Sequence, residues 1–386
     1  MKRTLVKTIF ILLLLALSIG CIKPKNTDIS AVLDMSSTGT RVEDILRRVM
    51  PDQMEDGKVR VAVIRNLSNS DHTRLFVSGC IIEGIALGFE VDVFITDGDN
   101  ELCQKYIAQV IEAGYDGIIL SHGGTYTYDA LLPAIEKGMK VVTFDSIPFR
   151  DGNINNEILR GVTHTAQEDV KLAELSLDAI VNHFPAARQP IRAIRTWMGP
   201  GIVPLDIRKT VYDRYITEGK IREMGVVAPT DHSNPRDGAR RALSNLLPQI
   251  PIGSVDAIWG CYDELAKGCL DALLEAGRTD IVIMSIDISD NDIGYMISYP
   301  RIWLSTAAVD PKLIGITNMR LLAMKFAGEP TPDTYYLEAH LVPTAFLDST
   351  VNMTNLARVI EGWGSETGVF DHFDWMNNLK AITYRY

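Results

Sequence analysis

The segment from Asp256 to Asp287, DAIWGCYDELAKGCLDALLEAGRTDIVIMSID, contains the alternation that decides the fold. A short apolar run, DAIWG, is followed by an amphipathic stretch, ELAKGCLDALLEAG, and then by a second β-branched run, DIVIMSID. Continuous apolar runs on either side of a helical stretch predict a βαβ unit, because its strands are buried on both faces. The two strands of such a unit are parallel.

The same alternation runs through the chain from Val59 onward. Further β-branched runs are VRVAVI, EVDVFIT, DGIIL, KVVTFD, IRAIRTW, MGVVAP and IWLSTAAV, with amphipathic stretches between them. The runs fall into two series, so we expect an α/β protein with two similar doubly wound parallel sheets. If the strand order is 2-1-3-4-5, the helices that carry Cys80 and Cys103 lie on opposite faces of their sheet. We therefore expect the cysteines after Cys21 to be buried free thiols.

The N-terminus has the features of an export signal. Lys2, Arg3 and Lys7 precede an apolar run at 9–17, and small residues precede Cys21. This cysteine resembles the lipobox cysteine of bacterial lipoproteins, although Ser18 stands where that motif has leucine. We expect a lipoprotein signal peptide at 1–21, with an ordinary signal peptide as the alternative, and a tether with a surface helix at 22–58. Either reading places the mature protein in the periplasm or another extracytoplasmic space, and lipidation of Cys21 would anchor it to a membrane.

The composition argues against nucleic acid as a partner. The chain has 386 residues, of which 46% are hydrophobic and 23% charged, so it is globular and long enough for two domains. Its net charge is −11, and no basic stripe is present that could bind a phosphate backbone. No strand is followed by G-x-G-x-x-G, and G-x-x-x-x-G-K is absent, so we expect no nucleotide and no other cofactor.

Polar residues follow the predicted strands of both series. Parallel sheets bind ligands beyond the carboxyl ends of their strands, because the strand-to-helix loops open there. RNLSNSDH, SHGG and Asp145-Ser146 occupy such positions in the first series, and CYDE and DISDND do so in the second. His72, His122 and His164 lie on separate predicted loops without metal-ligand spacing, so we expect exposed or structural histidines and no metal site.

With these segments the chain resembles the type 1 periplasmic sugar-binding proteins, which include the ribose, galactose and autoinducer-2 receptors. The resemblance covers about Val59 to Pro343 and rests on GYDGIIL, ALLPAIEKGMKVVTFDS, DIRKTVYDRY, AIWGCYDELAKGCLDALLEAG and VIMSID. It implies two lobes, joined by a three-segment hinge, that close around a small carbohydrate or polyol. The implied lobes are 59–163 with 310–338, and 164–309 with 339–386. We expect the aromatic C-terminal extension to pack on the hinge or the second lobe.

The resemblance also implies ligand contacts. Asp145 matches the family's first-lobe aspartate, and Arg208 and Asp287 match polar residues after the first and fourth strands of the second lobe. Carboxylates accept hydrogen bonds from vicinal hydroxyls and an arginine donates a planar fork, so the set suits a sugar. Tyr262 and Ser146 replace an asparagine and an arginine of the ribose receptor, which argues against ribose. Capping of a helix is the alternative role for Asp263 and Asp287. The other predicted contacts are Asn66, Asn69, Asp71, Ser121, Ser146, Asp206, Tyr262 and Asp263.

The expected function is that of an exported solute-binding protein of a carbohydrate ABC importer. Its partners would be a small sugar, deoxysugar or polyol and the membrane permease. The alternative is a ligand-sensing subunit for a membrane histidine kinase or chemoreceptor, since both kinds of protein use ligand-stabilised closure. An enzyme is a remote alternative, because Cys261 has no histidine base in its strand-end cluster and no G-x-S-x-G or H-E-x-x-H motif occurs.

Overall fold

The computed structural model describes residues 59–383 apart from 154, 231–233, 365–369 and 371–372. The predicted signal peptide, Cys21 and the tether with its helix lie outside these residues. Within the described part of the chain, no helix is long and apolar enough to span a bilayer.

Two six-stranded sheets form the centre of the described chain, which confirms the two predicted series. The strand orders are β2-β1-β3-β4-β5-β11 and β7-β6-β8-β9-β10-β12, so both sheets contain the 2-1-3-4-5 arrangement. Strand β12 is antiparallel to β10, whereas the other pairings described here are parallel. The strands are β1 (Arg60–Arg65), β2 (Glu90–Ile95), β3 (Gly117–Ser121), β4 (Lys140–Phe144), β5 (Val162–Gln167), β6 (Ile191–Thr196), β7 (Ile221–Val227), β8 (Ala257–Trp259), β9 (Val282–Ile286), β10 (Trp303–Ala308), β11 (Thr334–Leu337) and β12 (His340–Pro343).

Helices cover both faces of each sheet, which is why the strands read as continuous apolar runs. In β1, Val61 and Val63 enter one core, and Ala62 and Ile64 enter the core on the opposite face. The helices are α1 (Asp71–Ala86), α2 (Asn100–Glu112), α3 (Thr127–Glu136), α4 (Asp169–His183), α5 (Val203–Thr217), α6 (Pro235–Leu246), α7 (Asp263–Glu275), α8 (Asp290–Ser298), α9 (Pro311–Phe326) and α10 (Asp374–Thr383). Short 3-10 turns occupy Arg150–Gly152, Ala186–Arg188, Leu247–Gln249, Thr344–Phe346 and Leu356–Arg358.

The helix pairs α1–α9 and α2–α3 lie on opposite faces of the first sheet. Cys80 of α1 and Cys103 of α2 therefore belong to separate cores, and the four cysteines of the described residues are buried and unpaired, as predicted. Helices α1 and α9 approach closely where each carries a glycine. A β-carbon on Gly79 would lie only 2.1 Å from the carbonyl oxygen of Lys312, so a larger residue would push the helices apart.

The chain passes between the two sheets at three places. It leaves the first sheet after Gln167 at the end of β5, returns between β10 and α9, and leaves again between β11 and β12. The first crossing therefore follows Gln167, whereas the sequence places it at residue 163. The difference arises because VTHTAQ carries alternating polar residues yet is buried as a strand. His164, predicted to lie on a loop, is a buried residue of this strand.

The C-terminal extension contacts both lobes. Residues up to Trp363 form an apolar cluster with Ile288 and Val342 of the second lobe. Helix α10 then packs against α1 of the first lobe, where Lys380 pairs with the buried carboxylate of Glu83. The prediction that the extension packs on the hinge or second lobe is therefore wrong for α10. The physical reason is apolar burial, because Met376 and Leu379 of α10 lie in the core that also contains Phe76 of α1.

Candidate ligand-binding cleft

The first turns of α1 and α8 meet where the carboxyl ends of the two sheets face each other. The Ser289 hydroxyl lies 3.5 Å from the Asp71 carboxylate, and Leu75 packs against the apolar cluster that contains Ile288 and Ile293. The lobes thus touch at one side of a polar space between the strand ends. We call this space the cleft. Its charged residues are Arg65 and Asp145 of the first lobe and Asp169, Arg208 and Asp287 of the second.

Asp145 is a buried carboxylate without a donor. It follows β4 with a φ of 47°, a left-handed conformation that its short polar side chain tolerates. Only 2% of its side chain is exposed, and neither carboxylate oxygen has a hydrogen-bond partner. His122 Nε2 lies 3.6 Å from Asp145 Oδ2. Burial, together with the negative charge of Asp169, raises the pKa of Asp145 well above that of an ordinary carboxyl group.

Arg208 holds the second lobe's side of the cleft together. From the buried face of α5, its Nε donates to Asp169 Oδ1 at 2.8 Å, and its Nη1 donates to the Cys261 carbonyl at 2.8 Å. Nη1 also lies 3.4 Å from Asp287 Oδ2. Asp287 follows β9 with a φ of 73°, as Asp145 follows β4, and its Oδ1 is buried without a partner. The structure therefore brings Arg208 and Asp287 into contact, and places both within electrostatic range of Asp145.

Sequence reasoning missed the most buried cation of the first lobe. Arg65, the last residue of β1, is fully buried and stacks on the ring of Phe76, with its guanidinium 4.7 Å from the ring centre. Its guanidinium contacts Ser121, His72 and His122. Ser121, predicted as a ligand contact, therefore accepts a hydrogen bond from Arg65 within the protein. The sequence did indicate a role for Arg65, because an arginine at the end of an apolar strand is either buried or lies at the carboxyl edge of the sheet, where ligands bind.

The prediction that His72 and His122 lie on separate loops is wrong for His72, which lies in α1. His72 lies in the first turn of α1 and His122 follows β3, yet both rings contact Arg65. Among the described residues, no group of three or more histidine, cysteine, aspartate or glutamate side chains is placed to hold a metal ion. The two histidines therefore belong to the polar lining of the cleft.

Comparison with known proteins identifies the architecture. A family model described as a periplasmic binding protein domain matches residues 61–330. The chain belongs to this family. A sugar ABC transporter protein from Yersinia enterocolitica subsp. enterocolitica 8081 is 34% identical and has a TM-score of 0.78, with 86% of this chain and 98% of that chain covered. A search of the curated proteins finds no significant match.

More distant solved structures show the same fold. A 5-methylthioribose transporter solute-binding protein from Thermotoga lettingae TMO is 22% identical, with a TM-score of 0.72 and coverage of 87% of this chain and 100% of that chain. A periplasmic solute-binding protein from Actinobacillus succinogenes 130z, solved with D-allose, is 14% identical, with a TM-score of 0.64 and coverage of 74% and 98%. The two-lobed architecture expected from the sequence is thus confirmed.

In this periplasmic binding protein, two residues predicted to contact the ligand, Asn66 and Ser146, form hydrogen bonds within the first lobe. Asn66 is buried, and its Nδ2 donates to Asn100 Oδ1 at 2.9 Å and to the His122 carbonyl at 3.0 Å. The Ser146 hydroxyl accepts a hydrogen bond from the backbone N–H of Gly123. These side chains tie together the loops that follow β1, β3 and β4, and so they position Asp145 and His122.

Two further residues predicted to contact the ligand, Asp263 and Asp206, have partners within the second lobe. Asp263 begins α7 and lies 3.1 Å from the buried Lys267 ammonium, which Asp292 also approaches to 3.1 Å. Asp206 accepts a hydrogen bond from the backbone N–H of Gly201 at 2.8 Å, which closes the loop before α5. Asn69, in contrast, is exposed in the loop that precedes α1.

Tyr262 and Cys261 differ in what they offer to the cleft. The Tyr262 hydroxyl lies 3.8 Å from the Met198 sulfur, and the ring is half-buried. The Cys261 thiol is fully buried and accepts a hydrogen bond from Thr196 at 3.3 Å. Burial raises the pKa of this thiol to about 11. Because the thiolate is the reactive form of cysteine, this environment makes Cys261 a packing residue and a poor nucleophile.

Proposed function

We propose that this periplasmic binding protein is the exported sugar-binding component of a carbohydrate ABC importer. A small sugar, deoxysugar or polyol would bind in the cleft and hold the two lobes closed for the membrane permease. The observation that carries the proposal is Asp145, whose two buried oxygens have no donor in the described protein. Support also comes from the similarity to the sugar ABC transporter protein of Yersinia enterocolitica.

The cleft chemistry favours hydroxyl groups as the missing donors. A buried carboxylate oxygen without a hydrogen bond costs about 1–3 kcal/mol or more, and two vicinal hydroxyls can satisfy both oxygens of one carboxylate. The free Oδ1 of Asp287 offers a third acceptor from the opposite lobe. A ligand that binds acceptors on both lobes stabilises the closed form specifically, which is the requirement for ligand-driven closure.

A thermal-shift screen tests this function. The purified protein is heated with pentoses, hexoses, deoxysugars, polyols and autoinducer-2, one at a time. A ligand at 100 times its dissociation constant should stabilise the folded protein by about 2.7 kcal/mol and raise its melting temperature. Asp145→Asn is the matched variant, because asparagine tolerates the same positive φ and keeps the side-chain size. It should lose most of the shift. No shift with any compound, or an equal shift in the variant, would contradict the proposal.

We also propose that Cys21 anchors the mature protein to a membrane through a lipid. The support is the order of a basic region, an apolar run and small residues before Cys21. Expressed in a bacterial host, the wild-type protein should fractionate with membranes, and Cys21→Ser should not. Equal fractionation of both proteins would contradict the lipid anchor. It would not bear on sugar binding, which the thermal-shift screen tests separately.

A further inference from the structure

Arg65 is a buried cation whose hydrogen-bond partners are neutral. Its Nε donates to the Thr73 hydroxyl at 3.3 Å, and its Nη1 donates to the Ser121 hydroxyl. Nη1 also lies 3.2 Å from His122 Nδ1, and Nη2 lies 2.9 Å from His72 Nδ1. Among the described ion pairs of the chain, none includes Arg65. Asp145 and Asp287 lie within electrostatic range of Arg65 but form no ion pair with it. A buried charge without a contacting counterion is costly, so its retention in the cleft calls for a function.

The arginine decides the protonation of both histidine rings. A guanidinium has five N–H donors and no acceptor, so Nδ1 of His72 is the unprotonated, accepting nitrogen. Nδ1 of His122 also lies 2.7 Å from the Ser121 hydroxyl, which accepts from Arg65 and is therefore free to donate its own proton to this nitrogen. A proton added at Nδ1 would face the cation directly. Burial and the charge of Arg65 accordingly lower the pKa of His72 to about 3, and they lower the pKa of His122 well below its ordinary value. Each neutral ring then carries its single proton on Nε2.

The Nε2–H of His122 lies next to the unpartnered carboxylate. His122 Nε2 is 3.6 Å from Asp145 Oδ2, which is longer than a hydrogen bond between the two groups. His72 lies on the same cleft wall, within electrostatic range of Asp263 and Arg208 of the second lobe. One N–H donor and one carboxylate acceptor are therefore presented side by side.

We propose that Arg65 fixes His72 and His122 as Nε2–H imidazoles, and that His122 and Asp145 form a subsite specific for an uncharged hydroxyl group of the ligand. The hydroxyl would accept from His122 Nε2–H and donate to Asp145. This proposal rests on the proposed sugar-binding function and narrows it to ligands that carry a neutral hydroxyl at this position.

His122 and Asp145 together disfavour charged ligand groups, because a charged group cannot both accept a hydrogen bond from His122 and donate one to Asp145. A carboxylate or phosphate oxygen can accept from His122 but has no proton to donate to the ionised form of Asp145, and it would bring like charges together. An ammonium group can donate to Asp145 but cannot accept from His122. Of these three groups the hydroxyl alone does both, so sugar acids and amino sugars with the charge at this position should be excluded.

Nitrogen-15 NMR of histidine-labelled protein tests the protonation pattern without a sugar ligand. Protonated and unprotonated ring nitrogens have widely separated chemical shifts, so the pattern can be read for each ring after assignment by His72→Gln and His122→Gln. Both rings should show protonated Nε2 and unprotonated Nδ1, with no titration between pH 5 and 8. A protonated Nδ1 on either ring, or titration near pH 6.5, would overturn the proposal.

Three small probes then test the subsite on the same sample. Glycerol should shift the His122 Nε2 resonance in a saturable way, whereas sodium acetate and ethylammonium chloride at equal concentration should not. The matched variant is His122→Asn, because asparagine favours the positive φ of 60° at this position and places an acceptor near Nδ1 while lacking the Nε2 donor.

Because His122→Asn lacks the His122 ring, the measurement uses the assigned His72 ring. Its chemical-shift change on addition of glycerol is compared between the wild type and His122→Asn. Loss of the glycerol effect in a folded variant supports the subsite. An unchanged effect, or an equal response to acetate, would show that His122 only supports Arg65 and would overturn the proposal. A failed sugar screen with these NMR results intact would refute the sugar function alone, so the two failures can be told apart.

Discussion

The two lobes share one fold but treat a buried arginine at the cleft in opposite ways. Arg208 of the second lobe contacts two carboxylates, Asp169 and Asp287, and so its charge is compensated within that lobe. Arg65 of the first lobe contacts hydroxyls and histidines, and the first-lobe carboxylate Asp145 is left without a donor. The second lobe thus supplies a self-compensated ion cluster. The first lobe instead keeps the buried carboxylate of Asp145 without a donor, which is the state expected of a surface that awaits a ligand.

The largest expected effect is that of Arg208→Ala. Removing this side chain leaves Asp169 and Asp287 buried without their cation, which should lower the free energy of unfolding by about 3–5 kcal/mol. Arg65→Met, the corresponding change in the first lobe, should cost about 1–2 kcal/mol, because its partners are neutral and only hydrogen bonds are lost. Urea unfolding of both variants and the wild type measures the difference.

The order of these two effects is the decisive result. If Arg65→Met were as destabilising as Arg208→Ala, the first-lobe arginine would be compensated by a carboxylate after all, and the contrast between the lobes would disappear. Arg208→Ala should also bind poorly, but its instability makes Asp145→Asn the cleaner variant for ligand binding.

The sequence predicts the sheets well because buried parallel strands leave an unmistakable apolar pattern. It fails at β5, where VTHTAQ reads as a polar loop although its residues are buried between β4 and β11. Here hydrogen bonds such as that from the Thr165 hydroxyl to Asn318 Oδ1, at 3.0 Å, satisfy the polar side chains inside the core. Such pairings join residues far apart in the chain, so no local pattern could reveal them.

The site was predicted in part for a similar reason. Asp145, Arg208 and Asp287 could be predicted as ligand contacts because each follows a predicted strand. The sequence places Arg65 and His72 in the strand-end segment RNLSNSDH and His122 in SHGG, but it gives no reason to expect that Arg65 joins the two rings. Side chains that act on each other across three loops require the register of the sheet, which only the structure supplies.

A second comparison concerns what the lobes share. Gly79 in α1 and Gly268 in α7 both sit where a second helix approaches: a β-carbon would lie 2.1 Å from the Lys312 carbonyl oxygen and 2.2 Å from the Arg236 carbonyl oxygen. Gly79→Ala and Gly268→Ala should each cost about 1–3 kcal/mol by overpacking. Gly294→Ala is the control, since a β-carbon there meets no atom within 4 Å. A stable Gly268→Ala protein would mean that the second lobe's helices can separate freely.

The unpartnered carboxylate should give the first lobe a pH signature. The folded-state pKa of Asp145 is raised, so the ionised form destabilises the protein increasingly as pH rises from about 4 towards that raised value. Asp145→Asn removes this penalty, so its free energy of unfolding should rise relative to that of the wild type as the pH increases from 4 to 8. Urea unfolding at pH 4, 6 and 8 measures it. A constant difference across this range would mean that Asp145 keeps an ordinary pKa in the folded protein.

The smallest expected effect lies at the contact between the lobes. Ser289 caps α8 and shares its hydroxyl between Asp292 Oδ2, at 2.6 Å, and Asp71 Oδ2 across the cleft, at 3.5 Å. The longer contact is weak, so a double-mutant cycle of Ser289→Ala and Asp71→Asn should give a coupling of about 0.5 kcal/mol or less. Ser289→Ala alone should cost about 1 kcal/mol through the lost helix cap. A coupling several times larger would mean that this contact, and not a bound ligand, holds the lobes together, and closure would then no longer report ligand binding.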